Sequence, residues 1–155
     1  MITNTDLKYL KLAETMATYS DYNRIHIGSC IIKKHSVIST GCNKNKSHPI
    51  QNKYNNELTF KKRKDCLHAE IDALIKASKE SKGATIYVFR RGMDNIYRNC
   101  KPCPACMKMI RDYGIKRIVY TIENGIKEML IKAIKKVKTK GKFDLEKFKE
   151  DLMNC

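Results

Sequence analysis

Tryptophan is absent from this 155-residue sequence, and aromatic residues of all kinds make up 8% of it. Proline occurs three times and glycine seven, too few for a collagen-like or Pro/Gly-rich disordered chain. No apolar run approaches the roughly 18 residues that span a bilayer, so no membrane partner is expected. The opening stretch, Met1 to Asp6, has neither the basic nor the apolar region of a signal peptide. Repeats, low-complexity segments and obvious linkers are missing too, which leaves one domain over 1–155. Acidic residues are scarce: 16 against 32 Lys and Arg, a formal net charge of +16. That excess favours an anionic partner or substrate. Lysine supplies 25 of the 32 basic residues, a bias that an AT-rich coding sequence also produces.

Cysteine, by contrast, is plentiful, with seven at positions 30, 42, 66, 100, 103, 106 and 155. Nothing signals secretion, so the chain reads as cytoplasmic. In a reducing compartment a cysteine cluster binds metal or does chemistry more often than it forms disulfides.

Leu7, Leu10, Ala13, Met16 and Ala17 recur at helical spacing and predict a helix over about 4–20. The β-branched Ile25–Ile32, the polar Lys33–Ser36 and then Val37–Gly41 predict a hairpin. Residues 43–64 are polar and aperiodic and predict a long irregular segment. Leu67, Ile71, Leu74 and Ile75 share a helical face over 65–77, and 84–89 reads as a buried strand. A polar loop, 90–101, leads to a helix over about 103–113 that stops at Gly114. A strand over 117–122 follows, then a Lys-rich helix over about 126–138 and a short one over about 144–152. This order predicts an α/β fold, a mixed sheet with helices on both faces and its helix-linked strands parallel. It divides into an N-terminal helix (1–20), a catalytic core (25–122) and a Lys-rich helical tail (126–155).

Two short pieces carry the chemistry: His68-Ala69-Glu70 and Pro102-Cys103-Pro104-Ala105-Cys106. Each stands at the predicted start of a helix. Cysteines three apart on a first turn point their thiols to one side. Helix N-termini lower thiol pKa and favour the thiolates a soft metal wants. With His68 as third ligand, the set is the three-ligand pattern of catalytic zinc, with a fourth position left open. Glu70, two residues after the histidine, can reach the open side without coordinating and carry a proton there. The combination H-x-E with P-C-x-x-C is the signature of zinc deaminases.

On these motifs the sequence resembles the cytidine deaminase-like superfamily, and within it the deoxycytidylate (dCMP) deaminase branch, over about 25–120. Ile27–Ile32 is similar to the family's first strand, and Gly41-Cys42-Asn43 to its G-x-N turn. The resemblance implies a three-layer α/β/α domain around a mixed sheet of the five-stranded type. It implies a Zn²⁺-dependent hydrolase acting on the C–N bond of a cyclic amidine. The expected reaction converts the cytosine of a (deoxy)cytidine nucleotide, dCMP foremost, to uracil and ammonia. Asn43 is expected to contact sugar or base, the backbone near Ala69 to read the pyrimidine edge, and the chain to form a homo-oligomer. The segments 44–64 and 90–101 depart from the family pattern.

Three further residues are candidates for substrate contact. Arg24 stands just before the first strand, where a phosphate is within reach. His48 lies in the long polar segment. Tyr120 is near the end of the last strand, where ligands bind in open α/β sheets. Bland alternatives stand beside these readings. Cys66 and Cys100 add candidate ligands for a closed structural zinc site or an iron–sulfur cluster. On the predicted helix Cys66 faces away from His68, and Cys30 and Cys42 read as small buried apolar groups. His26 and His35 read as surface residues.

A polynucleotide deaminase acting on single-stranded DNA, RNA or tRNA is the second hypothesis, with Tyr54, Phe60 and Tyr97 available for base stacking. Missing tryptophan and scarce arginine count against it. The third is a non-catalytic zinc-containing nucleic-acid-binding protein, which would have no use for Glu70. Residues 44–64 and 90–117 each carry a net +6, so 12 of the 16 net charges fall in two stretches beside the motifs. That predicts a basic rim and a phosphate-bearing nucleotide.

Overall fold

The computed structural model describes residues 1–58, 66–94 and 96–131. The Thr3 hydroxyl accepts from the Asp6 amide, and the Asp6 carboxylate accepts from the Thr3 amide. This capping box opens α1, Asn4–Ala17. Strands β1, His26–Lys33, and β2, Ser36–Cys42, form the expected hairpin. Lys34 and His35 between them take φ of 49° and 64°, the left-handed values a two-residue hairpin turn requires. The helix α3, Ala69–Ala77, leads through a 3₁₀ turn, Ser78–Ser81, into β3, Thr85–Arg91. Helix α4, Pro104–Asp112, then connects β3 to β4, Arg117–Ile122, and those two strands are parallel as predicted.

The sheet runs in the order β2-β1-β3-β4 and ends on a fifth strand, β5, Gly125–Leu130, antiparallel to β4. Helix α1 covers one face, packing Tyr9, Leu10 and Ala13 against Cys30, Tyr87 and Phe89. Helices α3 and α4 cover the other, packing Ile71, Leu74 and Met109 against Ile31, Ile86 and Ile118. This is the three-layer α/β/α fold with a mixed five-stranded sheet. No helix among the described residues is long and apolar enough to cross a membrane.

Two expectations are overturned. Residues 126–130 are the strand β5, not a helix, because their backbone completes the ladder of β4. The predicted helical continuation to 138 and the helix at 144–152 lie outside the described residues. The polar segment 43–64 contains a helix, α2, Pro49–Glu57. His48 caps it by accepting the Ile50 amide on Nδ1 at 3.1 Å, and Pro49 holds its first position. The basic run Lys61–Lys64 and Phe60 lie outside the described residues.

A buried ionic knot joins α1 to the sheet. The Asp6 carboxylate, only 3% exposed, accepts from Tyr87 Oη at 2.7 Å and from both terminal nitrogens of Arg117 at 2.7 and 3.0 Å. Arg117 also donates to Glu128 of β5 at 2.7 Å. Burial alone would raise the Asp6 pKa. The bonds from Arg117, Tyr87 and Thr3 outweigh it and hold the carboxyl far below the usual carboxylate range.

Glycines set how closely the helices approach the hairpin. A Cβ on Gly41 would stand 2.4 Å from the Ala69 carbonyl oxygen and 2.6 Å from the Ala73 nitrogen. Gly41→Ala is therefore expected to displace the first turn of α3 and cost about 1–3 kcal/mol. Chemical denaturation of the variant beside the native chain measures this.

Candidate metal centre and active site

Cys66 to His68 is extended, so the helix begins at Ala69 rather than at 65. Leu67 is held by two backbone hydrogen bonds to Lys44, at 2.9 and 3.1 Å. His68 becomes the N-cap of α3, and Cys103 the N-cap of α4. Both helices start at the edge where β3 and β4 end. His68 Nδ1 stands 3.6 Å from Cys103 Sγ and 3.3 Å from Cys106 Sγ, and the three donor atoms lie within 4.8 Å of one another.

Their protonation is mutually arranged. Hydrogen bonding from Cys106, with help from His68, overcomes burial and holds the Cys103 thiol down to about 4. Burial opposes a charge on His68, but Cys103, Cys66 and Glu70 raise it to about 10. Burial and the neighbouring Cys103 push Cys106 well above its ordinary value. Cys103 is thus the thiol most readily ionised, and a divalent cation held by two thiolates and a neutral imidazole would displace the remaining protons. A nitrogen and two sulfurs from three residues fit Zn²⁺.

Glu70 occupies the first turn of α3, 5% exposed and outside the donor set. Burial pushes its carboxyl up from the usual range. Ala69 is fully buried, and its carbonyl oxygen accepts from the Ser29 hydroxyl of β1 at 2.7 Å. Cys100 does not join the thiols. Its Sγ lies 3.2 Å from the Val88 carbonyl oxygen and 3.1 Å from Thr121 Oγ1, and burial pushes the thiol up to about 12. Cys66 is off the helix and also outside the donor set. Cys30 and Cys42 are buried, as expected of small apolar groups.

The other candidates are placed as follows. Asn43 is buried, its Oδ1 accepting the Ile27 amide at 2.8 Å and its Nδ2 donating to the Ile25 carbonyl at 2.6 Å. It fixes the backbone that enters β1. His48 caps α2 through one ring nitrogen. Tyr120 is 3% exposed and packs in the core on the α3–α4 side. Arg24 is exposed and lines a cavity of about 220 Å³ with Ala17, His26, Phe89 and Arg91, on the α1 side. Neither a thiol nor Glu70 lines that cavity.

The expected basic rim is reduced. Lys44 pairs with Asp72, Arg91 with Glu14, Arg98 with Asp94 and Lys108 with Glu57 and Asp112. Arg117 stands at the opposite end of β4, in the Asp6 knot. Of the proposed stacking residues, Tyr54 is buried with its hydroxyl on Asp112 at 2.9 Å, and Tyr97 packs edge-on against Phe89.

Two residues escaped sequence reasoning. Thr121, fully buried, accepts the Arg90 amide at 3.1 Å and donates to the Arg98 carbonyl at 2.8 Å, fastening the 90–101 segment. Gln51 of α2, also fully buried, accepts the His68 amide on Oε1 at 3.0 Å. A glutamine on a helix with no apolar period gave no signal.

A family model described as cytidine and deoxycytidylate deaminase zinc-binding region matches residues 3–122, a stretch that contains His68, Glu70, Cys103 and Cys106. The chain belongs to this family. The deoxycytidylate deaminase of Mycobacterium phage D29 is 30% identical over 135 residues, covering 77% of this chain and 95% of that protein. The deoxycytidylate deaminase of Saccharomyces cerevisiae is 28% identical over 138 residues, 84% of this chain but 41% of the yeast protein. The dCMP deaminase of cyanophage S-TIM5, solved in apo form, aligns with a TM-score of 0.56 at 25% identity, covering 77% of this chain and 84% of that one. Its complex with dCMP and dUMP also gives 0.56, at 24% identity with 77% and 82% covered. In this family member the matched region includes the whole described sheet except β5.

Proposed function

We propose that this chain is a deaminase of a (deoxy)cytidine nucleotide, dCMP foremost, yielding the uracil nucleotide and ammonia. The observation that carries the reading is the His68–Cys103–Cys106 donor set with a buried carboxylate, Glu70, two residues after the histidine. Zinc held by these residues supplies a Lewis acid that makes water nucleophilic near neutral pH. Glu70 takes the proton released as water adds to C4 of the base and delivers it to the departing amino nitrogen. In this reading the backbone at Ala69, pinned by Ser29, reads the pyrimidine edge, and Asn43 acts through the Ile25 and Ile27 backbone that its two ends hold.

A phosphate-bearing mononucleotide is supported by the deoxycytidylate relatives and by dCMP and dUMP in the cyanophage protein. Against a polynucleotide substrate, two of its three stacking residues are engaged within the chain: Tyr54 is buried with its hydroxyl on Asp112, and the half-buried Tyr97 packs on Phe89. Nucleotide chemistry of this kind supports a cytoplasmic setting, and the family resemblance supports a homo-oligomer.

Ammonia release decides the matter. The zinc-loaded protein is expected to turn over dCMP and to leave a cytosine-containing single-stranded oligonucleotide untouched at low and high salt. Turnover of the oligonucleotide with steep salt dependence would favour the polynucleotide reading. No ammonia from any cytosine nucleotide or strand would sink the assignment.

A further inference from the structure

His68 occupies the N-cap of α3, the position whose side chain ordinarily binds a free amide of the first turn. It makes no such bond, because its imidazole faces the thiols. The backbone there must be held by something else. Leu67 is tied on both sides to Lys44, and the His68 amide donates to Gln51 Oε1 at 3.0 Å. Gln51 is fully buried, an uncommon place for glutamine, and its Nε2 donates to Asn55 Oδ1 at 3.0 Å. Both ends of the amide are thereby fixed. Helix α2 is in turn fastened to α4, the helix that carries Cys106. Tyr54 donates to Asp112 at 2.9 Å, and Lys108 pairs with Glu57 at 2.9 Å. The same short helix therefore grips the backbone of the histidine and the helix of the cysteine.

We propose that Gln51 is a positioning residue for the metal site, setting the direction of His68 through its main-chain amide. The proposal rests on the zinc assignment but not on dCMP as substrate, so the test reads metal binding rather than turnover. Gln51→Met removes both polar groups at similar volume. Gln51→Glu keeps the acceptor facing the His68 amide, and Asn55 can turn its own amide to donate.

Zinc affinity is measured by competition with a chromophoric chelator, and geometry by the d–d absorption of the cobalt(II)-substituted chain. Gln51→Met is expected to weaken zinc binding about 10–100-fold, as loss of supporting partners does elsewhere, and to change the cobalt spectrum. Gln51→Glu is expected to restore most of both. Tyr54→Phe, which loosens α2 against α4 without touching His68, is expected to keep native zinc affinity. The proposal is overturned by native affinity in Gln51→Met, by a Gln51→Glu as weak as Gln51→Met, or by an equal loss in Tyr54→Phe. Should Gln51→Met not fold, hydrogen exchange at the His68 amide of the native chain decides. Strong protection supports the contact, and exchange at the rate of an exposed amide rejects it.

Discussion

Glu70→Gln is expected to lower the turnover of dCMP by about 10²–10⁴-fold, the usual contribution of a positioned proton carrier. Metal analysis of the same preparation should still find one zinc per chain, because His68, Cys103 and Cys106 are unchanged. The substitution preserves volume at a side chain that is 5% exposed, so the fold has little to relax. Only the ability to take and return a proton is lost. Glutamine remains neutral, and its carboxamide cannot alternate between the two states. Turnover near the native rate would mean that another group carries the proton. Loss of zinc together with activity would mean that Glu70 supports the donors instead.

The largest effect on stability is expected at the far end of the sheet. Asp6→Ala leaves Arg117 with Glu128 alone and deprives the Tyr87 hydroxyl of its acceptor. Removing one partner of a buried ion pair costs about 3–5 kcal/mol. In a chain of this size that lowers the thermal midpoint by roughly 10 °C. The dependence on acid follows in sign. The folded-state pKa of Asp6 is depressed, so its contribution is complete above the ordinary value of 3.8 and fades as the pH falls below it. Native and variant chains should therefore differ most near neutrality and converge in acid, as denaturant titrations across that range would show. A constant difference at every pH would assign the loss to packing rather than to charge.

The chemistry was legible in the sequence because it is local. His68 with Glu70, and Cys103 with Cys106, are separated by two and three positions, and their backbone geometry follows from standing at helix starts. The hairpin and the β3–α4–β4 crossover announced themselves through β-branched runs and glycine stops. What failed was long-range. Ile126, Met129 and Leu130 are spaced three and four apart, which imitates a helix, yet the open edge of β4 pairs with that segment. Helix α2 buries only Gln51 and Tyr54, so it has no apolar stripe to read. Its partners, His68 and Asp112, lie 17 and 58 positions away. Asp6 and Arg117 are 111 positions apart, and nothing in either neighbourhood names the other.

Charge shows the same limit. Counting located +12 of the +16 beside the motifs, but spacing along a chain does not say which end of a strand a residue occupies. Arg117 begins β4, whereas the metal donors gather where β4 ends. Several of the other cations have carboxylates of their own.

Gly41 has a counterpart. Gly28 lies on the neighbouring strand, one register step away, and meets α1 as Gly41 meets α3. A Cβ on Gly28 would fall 1.9 Å from the Ala13 carbonyl oxygen and 2.4 Å from the Ala17 nitrogen. Each glycine thus faces two alanines four positions apart on a helix, Ala13 and Ala17 on one side, Ala69 and Ala73 on the other. The two glycines share one steric condition, since neither can carry a side chain without moving the helix backbone above it. The hairpin is therefore clamped between α1 and α3 at backbone contact on both faces, so a displacement of either helix is transmitted to the strand pair that the other helix rests on.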